Sequence, residues 1–212
     1  MRANVDYTLY LVTDRELMRA SRIEDSVERA VLGGCTVVQL REKQAPSREF
    51  YEAALRVRQV TARLGVPLII NDRADIALAV GADGVHIGQG DLPYGAARKI
   101  VGADMLVGVS VSTLPEALAA AEQGADYLGV GAMLPTGTKT DAMLTGLDEL
   151  ARIREAVSLP LVVIGGINGD TLPRFAGTGI DGIAVVSAIV SAPDETAAAH
   201  ELRALFERVV RP

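Results

Sequence analysis

Two cationic side chains and an amide fall on one face of a predicted strand. In the segment Val37 to Lys43, the two-residue alternation of a strand places Gln39, Arg41 and Lys43 together. The chain has few lysines, and Lys43 and Lys139 both lie in predicted strand-end loops. A compact ammonium beside a guanidinium suits an anionic group such as a phosphate. The alternative is a strand that runs out into an ordinary solvated loop.

Two aspartates follow successive predicted strands. Asp72 comes after the third strand and Asp91 after the fourth. Because neighbouring strands are about 4.8 Å apart, carboxylates at one rim could share a hard cation, and Mg²⁺ typically takes one or two carboxylates with phosphate oxygens. Alternatively, Asp72 caps a helix starting at Ala74 and Asp91 is a turn residue before Pro93.

The fifth predicted strand ends in small residues, with Gly108 and Ser110 on the same face. These leave room for a ligand, to which Ser110 could donate or accept a hydrogen bond. A nucleophilic Ser110 is not favoured, because neither histidine has an evident pairing with it and there is no elbow motif. His86 has apolar neighbours and is predicted to be a hydrogen-bonded core imidazole, whereas His200 on the last helix receives no role.

The connection from 131 to 146 is longer than a compact loop between a strand and a helix needs. Its Thr136, Gly137, Thr138 and Lys139 offer hydroxyls, accessible backbone and a cation, which suit a phosphate. A plain surface loop is the alternative.

The ends of the seventh and eighth predicted strands offer a second phosphate-binding pattern. Gly165 and Gly166 allow close backbone approach, and a short helix start after Val186 and Ser187 presents free N–H groups. Many (β/α)8 barrels bind phosphate at the ends of their seventh and eighth strands.

These side chains require a scaffold in which many strand ends meet. Short apolar runs alternate with segments of helical spacing, which is typical of parallel strands joined by crossover helices. The eight predicted strands lie near Thr8–Val12, Thr36–Leu40, Pro67–Ile70, Gly84–Ile87, Leu106–Ser110, Tyr127–Val130, Leu161–Ile164 and Gly182–Val186. The predicted helices include Ser47–Leu64, Pro115–Gln123, Leu147–Val157 and Asp194–Val210.

This alternation predicts an α/β fold, a single (β/α)8 TIM barrel forming one catalytic domain over residues 1–212. The turns at 81–83, 124–126 and 179–181, each Gly-X-Asp, look like one repeated device. A doubly wound open sheet is the alternative fold.

The composition narrows the class of protein. With 212 residues, 49% apolar, and a net charge of −6, the chain has an ample core and no general basic surface for nucleic acid. Its one cysteine, Cys35, cannot form an internal disulfide or a multi-thiolate metal site, which favours a reducing compartment. No apolar run approaches the roughly 18 to 20 residues that cross a bilayer. We therefore expect a cytoplasmic protein that binds neither nucleic acid nor membrane.

The motifs in combination resemble those of the thiamine phosphate synthase family. The similar segments are Leu9–Arg15, Gln39–Lys43, Ile70–Arg73, Gly84–Gln89, Gly108–Ser110, Pro135–Thr140 and Ile164–Ile167. They occur in the family's order and extend over about residues 7 to 191. The resemblance implies a (β/α)8 enzyme that joins hydroxymethylpyrimidine diphosphate to a thiazole phosphate, which is carboxylated in some forms, and releases diphosphate.

The resemblance also implies roles for particular residues. One Mg²⁺ per active site would be bound by Asp72 and Asp91. The pyrimidine diphosphate would be held by Gln39, Leu40, Arg41, Glu42, Lys43, Asn71, Ser110 and Lys139. The thiazole phosphate would be held by Thr136, Gly137, Thr138, Gly166, Val186 and Ser187. Arg41, Lys43, Ser110 and Lys139 would be the catalytic residues, while Gly90 departs from the family, where an acidic residue is expected.

The family's reaction implies a pyrimidine carbocation, so the protein must neutralise a departing diphosphate rather than supply a nucleophile. Three other activities stay open at this point. A related barrel subgroup tautomerises the thiazole without a metal, a Schiff-base aldolase would use Lys139, and a phosphate-binding module would have no turnover. Most of these activities would act on small phosphorylated molecules. The sequence also leaves open that the protein is a homo-oligomer.

Overall fold

The computed structural model describes residues 5–135 and 144–211. Within them, eight parallel strands close into a barrel in chain order, and β8 pairs with β1. The strands are β1 (Leu9–Val12), β2 (Val37–Leu40), β3 (Leu68–Asn71), β4 (Gly84–Ile87), β5 (Leu106–Val111), β6 (Tyr127–Val130), β7 (Leu161–Ile164) and β8 (Gly182–Val185). The predicted barrel is confirmed, and the open doubly wound sheet is wrong.

Helices cover the outside of the barrel. They are α1 (Ile23–Leu32), α2 (Ser47–Leu64), α3 (Ala74–Val80), α4 (Tyr94–Val101), α5 (Leu114–Gln123), α6 (Leu147–Ala156), α7 (Ser187–Val190) and α8 (Glu195–Val209), with a 3₁₀ helix at Leu172–Phe175. α5 begins one residue earlier than predicted, because Thr113 and Glu116 form a capping box around its first turn. In the part of the chain that is described, no helix is long and apolar enough to cross a membrane.

The barrel strands separate two apolar layers. Outward-facing residues such as Leu11, Leu40 and Leu68 pack against the helices in the larger cluster. Inward-facing residues, including Tyr10 and Tyr127, fill the barrel itself. The strands are buried on both faces, which explains their continuous apolar runs. The two layers leave the ends of the strands as the place for charged side chains.

The three Gly-X-Asp turns share one structural role at the N-terminal end of the barrel. Each aspartate accepts a backbone N–H at the start of the preceding odd-numbered strand and an arginine from an even-numbered helix. The sets are Asp83 with Leu68 and Arg58 (2.8 and 2.6 Å), Asp126 with Val107 and Arg98 (2.7 and 2.8 Å), and Asp181 with Leu161 and Arg154 (2.9 and 3.1 Å).

A fourth copy of this contact uses different residue types. Thr36 precedes β2 and accepts the Leu9 N–H through Oγ1 at 3.1 Å. Arg203 of α8 donates to the carbonyl of Gly34 at 3.2 Å. Gly34 has a φ of 115°, in the left-handed region like the glycines of the other three turns. A backbone contact of this kind therefore joins the starts of each successive pair of strands, four times around the barrel.

Candidate active site

Arg41 is held at the rim by the residues that follow β1. Its backbone N–H donates to Thr13 Oγ1 at 3.0 Å, and its guanidinium donates to Asp14 Oδ2 at 3.0 Å. The Arg41 side chain is 23% exposed and that of Asp14 is 13% exposed, so the pair is largely shielded from water. Asp14 received no role in the sequence analysis. The same strand-end criterion, applied to β1, would have found it.

Lys43 and the two aspartates meet at the ends of β2, β3 and β4. The Lys43 ammonium donates to Asp72 Oδ2. Burial raises the pKa of the Asp72 carboxyl, and the neighbouring carboxylate of Asp91 raises it further, although Lys43 acts in the opposite direction. Asp91 Oδ2 also accepts the Gly88 N–H at 2.8 Å.

The alternative roles considered for these aspartates were a helix cap for Asp72 and a turn for Asp91, and only the turn is observed. Asp72 does not cap α3, because Arg73 occupies the N-cap position and no side-chain cap bond is formed. The Asp91 contact with Gly88 is a turn bond of the ordinary kind. The structure thus brings the two carboxylates together as the strand positions predict.

The donor set at this point fits a hard divalent cation. Carboxylate oxygens of Asp72 and Asp91 converge, and their mutual repulsion is what a cation would relieve. Among the described residues, no group of three or more histidine, cysteine or acidic side chains is placed to hold a metal ion. A cation held here would take its remaining ligands from water or from substrate, as Mg²⁺ typically does in proteins.

A continuous chain of hydrogen bonds crosses the barrel interior between two predicted site residues. Gln39 Nε2 donates to the Tyr10 hydroxyl at 2.8 Å, and the hydroxyls of Tyr10 and Tyr127 are 2.7 Å apart. The Tyr127 hydroxyl lies 3.0 Å from His86 Nδ1, and His86 Nε2 lies 2.8 Å from Ser110 Oγ. Burial lowers the pKa of His86 to about 4. The imidazole is therefore neutral near pH 7.

Two expectations for this region were wrong. Ser110 does pair with a histidine, because β4 and β5 are neighbours and their side chains face the same interior. The space beside Gly108 is not left for a ligand, since a Cβ there would collide with the Tyr127 ring. The prediction that His86 is a hydrogen-bonded core imidazole is confirmed.

The Ser110–His86 pair does not complete a nucleophilic triad. The other nitrogen of His86 contacts a tyrosine hydroxyl rather than a carboxylate. A neutral phenol does not stabilise an imidazolium as an aspartate does. Ser110 is accordingly placed as a hydrogen-bonding group.

Leu40 and Glu42, also expected at the substrate site, point elsewhere. The Leu40 side chain is fully buried between the barrel and the helices, so only its backbone could meet a ligand. Glu42 accepts two bonds from Arg15 Nε at 3.1 Å and one from Nη2 at 2.9 Å. Glu42 therefore ties the loop after β2 to the loop after β1.

The glycines after β7 accommodate the chain that follows β6. Gly165 and Gly166 have φ of 101° and 68°, and a Cβ on Gly166 would lie 2.6 Å from the Leu134 Cβ. The N–H groups of Met133 and Leu134 donate to the carbonyls of Ile164 and Gly165 at 2.9 and 3.2 Å. This packing directs the segment preceding Thr136 across the end of β7.

The remaining predicted site residues fall at the same rim or outside the described part. Asn71 ends β3, while Val186 directly precedes α7 and Ser187 begins it, confirming a short helix start after β8. Thr136, Gly137, Thr138 and Lys139 lie outside the described residues. The described members all follow or end strands at the C-terminal side of one barrel.

Comparison with known proteins identifies relatives of this chain both by sequence and by structure. A family model described as thiamine monophosphate synthase matches residues 9–189. A thiamine-phosphate synthase of Clostridium beijerinckii is 54% identical over 209 residues, which are 99% of this chain and 100% of that protein. One from Clostridium botulinum is 52% identical over 99% of this chain and 98% of that protein. The solved thiamine phosphate pyrophosphorylase from Pyrococcus furiosus has a TM-score of 0.89 and 44% identity, over 97% of this chain and 98% of that chain.

Proposed function

Because the chain belongs to the thiamine monophosphate synthase family, we propose that it joins hydroxymethylpyrimidine diphosphate to a thiazole phosphate. The synthase function predicted from the motifs is confirmed by the near-full-length relatives. In this reaction, the bond between the pyrimidine methylene carbon and the diphosphate oxygen breaks. The thiazole nitrogen then bonds to that carbon, and diphosphate leaves with the electron pair.

The convergence of two cations and two carboxylates at the ends of β2, β3 and β4 carries the proposal in detail. Arg41 is fixed by Asp14, and Lys43 reaches the Asp72 carboxylate that neighbours Asp91. An anionic leaving group bound among these residues would meet positive charge before it departs. Fixed charges aimed at developing charge are often the largest contribution to catalysis.

A Mg²⁺ held by Asp72 and Asp91 would supply charge neutralisation for the diphosphate. Arg41 and Lys43 bind the diphosphate oxygens, with Lys139 as a further cation from the loop after β6. Because Arg41 is oriented by Asp14, its guanidinium requires little rearrangement as the diphosphate departs.

The other site residues orient the two organic groups. Gln39, Asn71 and Ser110 bind the pyrimidine substrate. Thr136, Gly137, Thr138, Gly166, Val186 and Ser187 bind the thiazole phosphate. The attacking atom belongs to a substrate, which agrees with the absence of a serine–histidine–carboxylate triad at Ser110 among the described residues.

The test is diphosphate release from the pyrimidine substrate, measured with and without Mg²⁺ and with and without the thiazole phosphate. We expect release only when both substrates and Mg²⁺ are present. Full turnover without a divalent cation would overturn the magnesium assignment. Failure to release diphosphate with both substrates would overturn the reaction, and thiazole isomerisation or borohydride trapping with pyruvate would replace it with one of the alternatives.

Lys139 has a matched control in the same chain. Lys99 lies exposed on α4 and is one of the three lysines. Lys139→Ala should lower kcat/KM for the pyrimidine diphosphate by about a hundredfold, because a charge on the leaving group is lost. Lys99→Ala should leave it unchanged. Equal affinity losses for both substrates in the Lys139 variant would contradict its assignment to the diphosphate.

A further inference from the structure

The buried hydrogen-bond chain between Gln39 and Ser110 runs in one direction. Its first donor is the side-chain amide nitrogen of Gln39, which can donate but cannot accept. The Tyr10 oxygen therefore accepts from Gln39. The one hydroxyl proton of Tyr10 is left for its other partner, the oxygen of Tyr127. We call Tyr10, Tyr127 and His86 the relay.

The same reasoning fixes the tautomer of His86. Tyr127 accepts from Tyr10, so its own proton is donated to His86 Nδ1. A neutral imidazole has one N–H, which must then be on Nε2 and be donated to Ser110 Oγ. The hydroxyl proton of Ser110 consequently points away from His86 and is available to a ligand.

The Gln39 end of the chain presents the opposite group. Gln39 Oε1 has no hydrogen-bond partner within the described residues. It is not a buried atom without a partner, because the only such side-chain oxygen or nitrogen among those residues is Glu195 Oε2. Within the described residues, Gln39 Oε1 is therefore the group left to accept a hydrogen bond from a ligand. The chain thus offers an acceptor at β2 and a donor at β5.

We propose that the relay is a positioning device that fixes Gln39 as a hydrogen-bond acceptor and Ser110 as a hydrogen-bond donor toward the pyrimidine substrate. Tyr10, Tyr127 and His86 act through these two residues. This polarity selects among ligands. A ligand that donates a hydrogen bond to Gln39 and accepts one from Ser110 satisfies both residues. A ligand of reversed polarity leaves both unsatisfied, at a substantial loss of affinity. The consequence for substrate rests on the proposed function, whereas the polarity itself is measurable without substrate.

Reversing the Gln39 amide would reverse every bond in the chain and place the His86 proton on Nδ1. The two polarities are therefore distinguished by the ¹⁵N chemical shifts of the His86 ring, which report which nitrogen carries the proton. The chain has two histidines, and the exposed His200 serves as the internal reference. A His200→Gln variant assigns the signals. We expect the Nε2–H tautomer in the wild-type protein at pH 7.5, and the Nδ1–H tautomer would overturn the proposal.

Gln39→Glu tests the transmission through the relay. A carboxylate cannot donate, so Tyr10 should donate to it, and the reversal should pass through Tyr127 and move the His86 proton to Nδ1. In a Tyr10→Phe background the same substitution should leave His86 as the Nε2–H tautomer, because the connection is cut. A tautomer that ignores Gln39→Glu, or that changes equally in both backgrounds, would overturn the proposal.

Tyr127→Phe tests the kinetic consequence with the ring retained against Tyr7 and Gly108. We expect KM for the pyrimidine diphosphate to rise about tenfold, since the polarity of Ser110 is no longer enforced, with KM for the thiazole phosphate changed by less than about twofold. Equal increases in both would overturn the positioning role. If this variant does not fold, the tautomer measurements on Gln39→Glu and Tyr10→Phe still decide the polarity. A correct polarity in a protein that releases no diphosphate would separate failure of the proposed function from failure of this inference.

Discussion

At the scale of single residues, Asp72 combines three features that do not favour stability. It is a non-glycine residue with a φ of +62°, its carboxyl is partly buried, and the Asp91 carboxylate is its neighbour. Left-handed backbone is tolerated best by glycine, asparagine and aspartate. Such local cost is typical of a residue retained for its chemistry, here the binding of a cation.

Asp72→Asn should therefore stabilise the metal-free protein at neutral pH. The pKa of Asp72 is raised in the folded state, so its ionised form is disfavoured there. The cost is absent below the unfolded pKa of about 3.9 and is complete once the pH exceeds the raised folded value. Thermal unfolding should show a higher Tm for the variant at pH 7 and little difference at pH 3. Added Mg²⁺ should raise the Tm of the wild-type protein only.

Asp72→Ala is the matched control for the backbone. It removes the same charge but places alanine at a positive φ, at a cost of about 1 kcal/mol. Its Tm should lie below that of the asparagine variant. A wild-type Tm above that of Asp72→Asn at pH 7 without metal would contradict the interpretation of this aspartate.

At the scale of elements, the sequence could predict contacts within one strand and between the ends of neighbouring strands. Alternation along β2 predicted that Gln39, Arg41 and Lys43 share a face, and strand order predicted that Asp72 meets Asp91. The Tyr10–Tyr127 contact joins residues 117 positions apart. Periodicity assigns each side chain to a face of its own strand, but the curvature of the closed barrel decides which residues meet across it.

The repeated turns show the same division. Their Gly-X-Asp pattern was visible in the sequence, whereas the arginine partners on α2, α4 and α6 were not, because spacing along the chain differs in each copy. Thr36 and Arg203 escape the pattern altogether, since they perform the role with other residue types. The contact therefore occurs four times in the structure, although the Gly-X-Asp pattern occurs three times in the sequence.

Removing these aspartates should destabilise the barrel in proportion to burial. The Asp126 side chain is 7% exposed, against 37% for Asp83 and 38% for Asp181. Asp126→Ala should cost about 3 kcal/mol of unfolding free energy, because it leaves the buried Val107 N–H unpaired and removes the carboxylate to which Arg98 Nη2 donates. Asp83→Ala and Asp181→Ala should cost about 1 kcal/mol each. Urea unfolding measures all three, and equal losses would show that burial does not set the strength of the contact.

At the scale of the whole molecule, the barrel separates its stabilising contacts from its chemistry. The aspartate–arginine contacts lie where strands begin, and the cations and carboxylates lie where strands end. The hydrophobic layers between them are continuous and close-packed. In (β/α)8 enzymes, the strand starts maintain the fold and the strand ends carry catalysis.

This separation predicts opposite outcomes for two variants. Asp126→Ala should lower the Tm while leaving kcat/KM at 25 °C unchanged, since the altered contact is at the far end of the barrel. Arg41→Lys keeps a positive charge but loses the guanidinium N–H that donates to Asp14. It should lower kcat/KM for the pyrimidine diphosphate by about a hundredfold and cost only about 1 kcal/mol of unfolding free energy, because the charge that faces Asp14 is kept. Coupled losses of stability and activity in both variants would show that the two ends of the barrel are not independent.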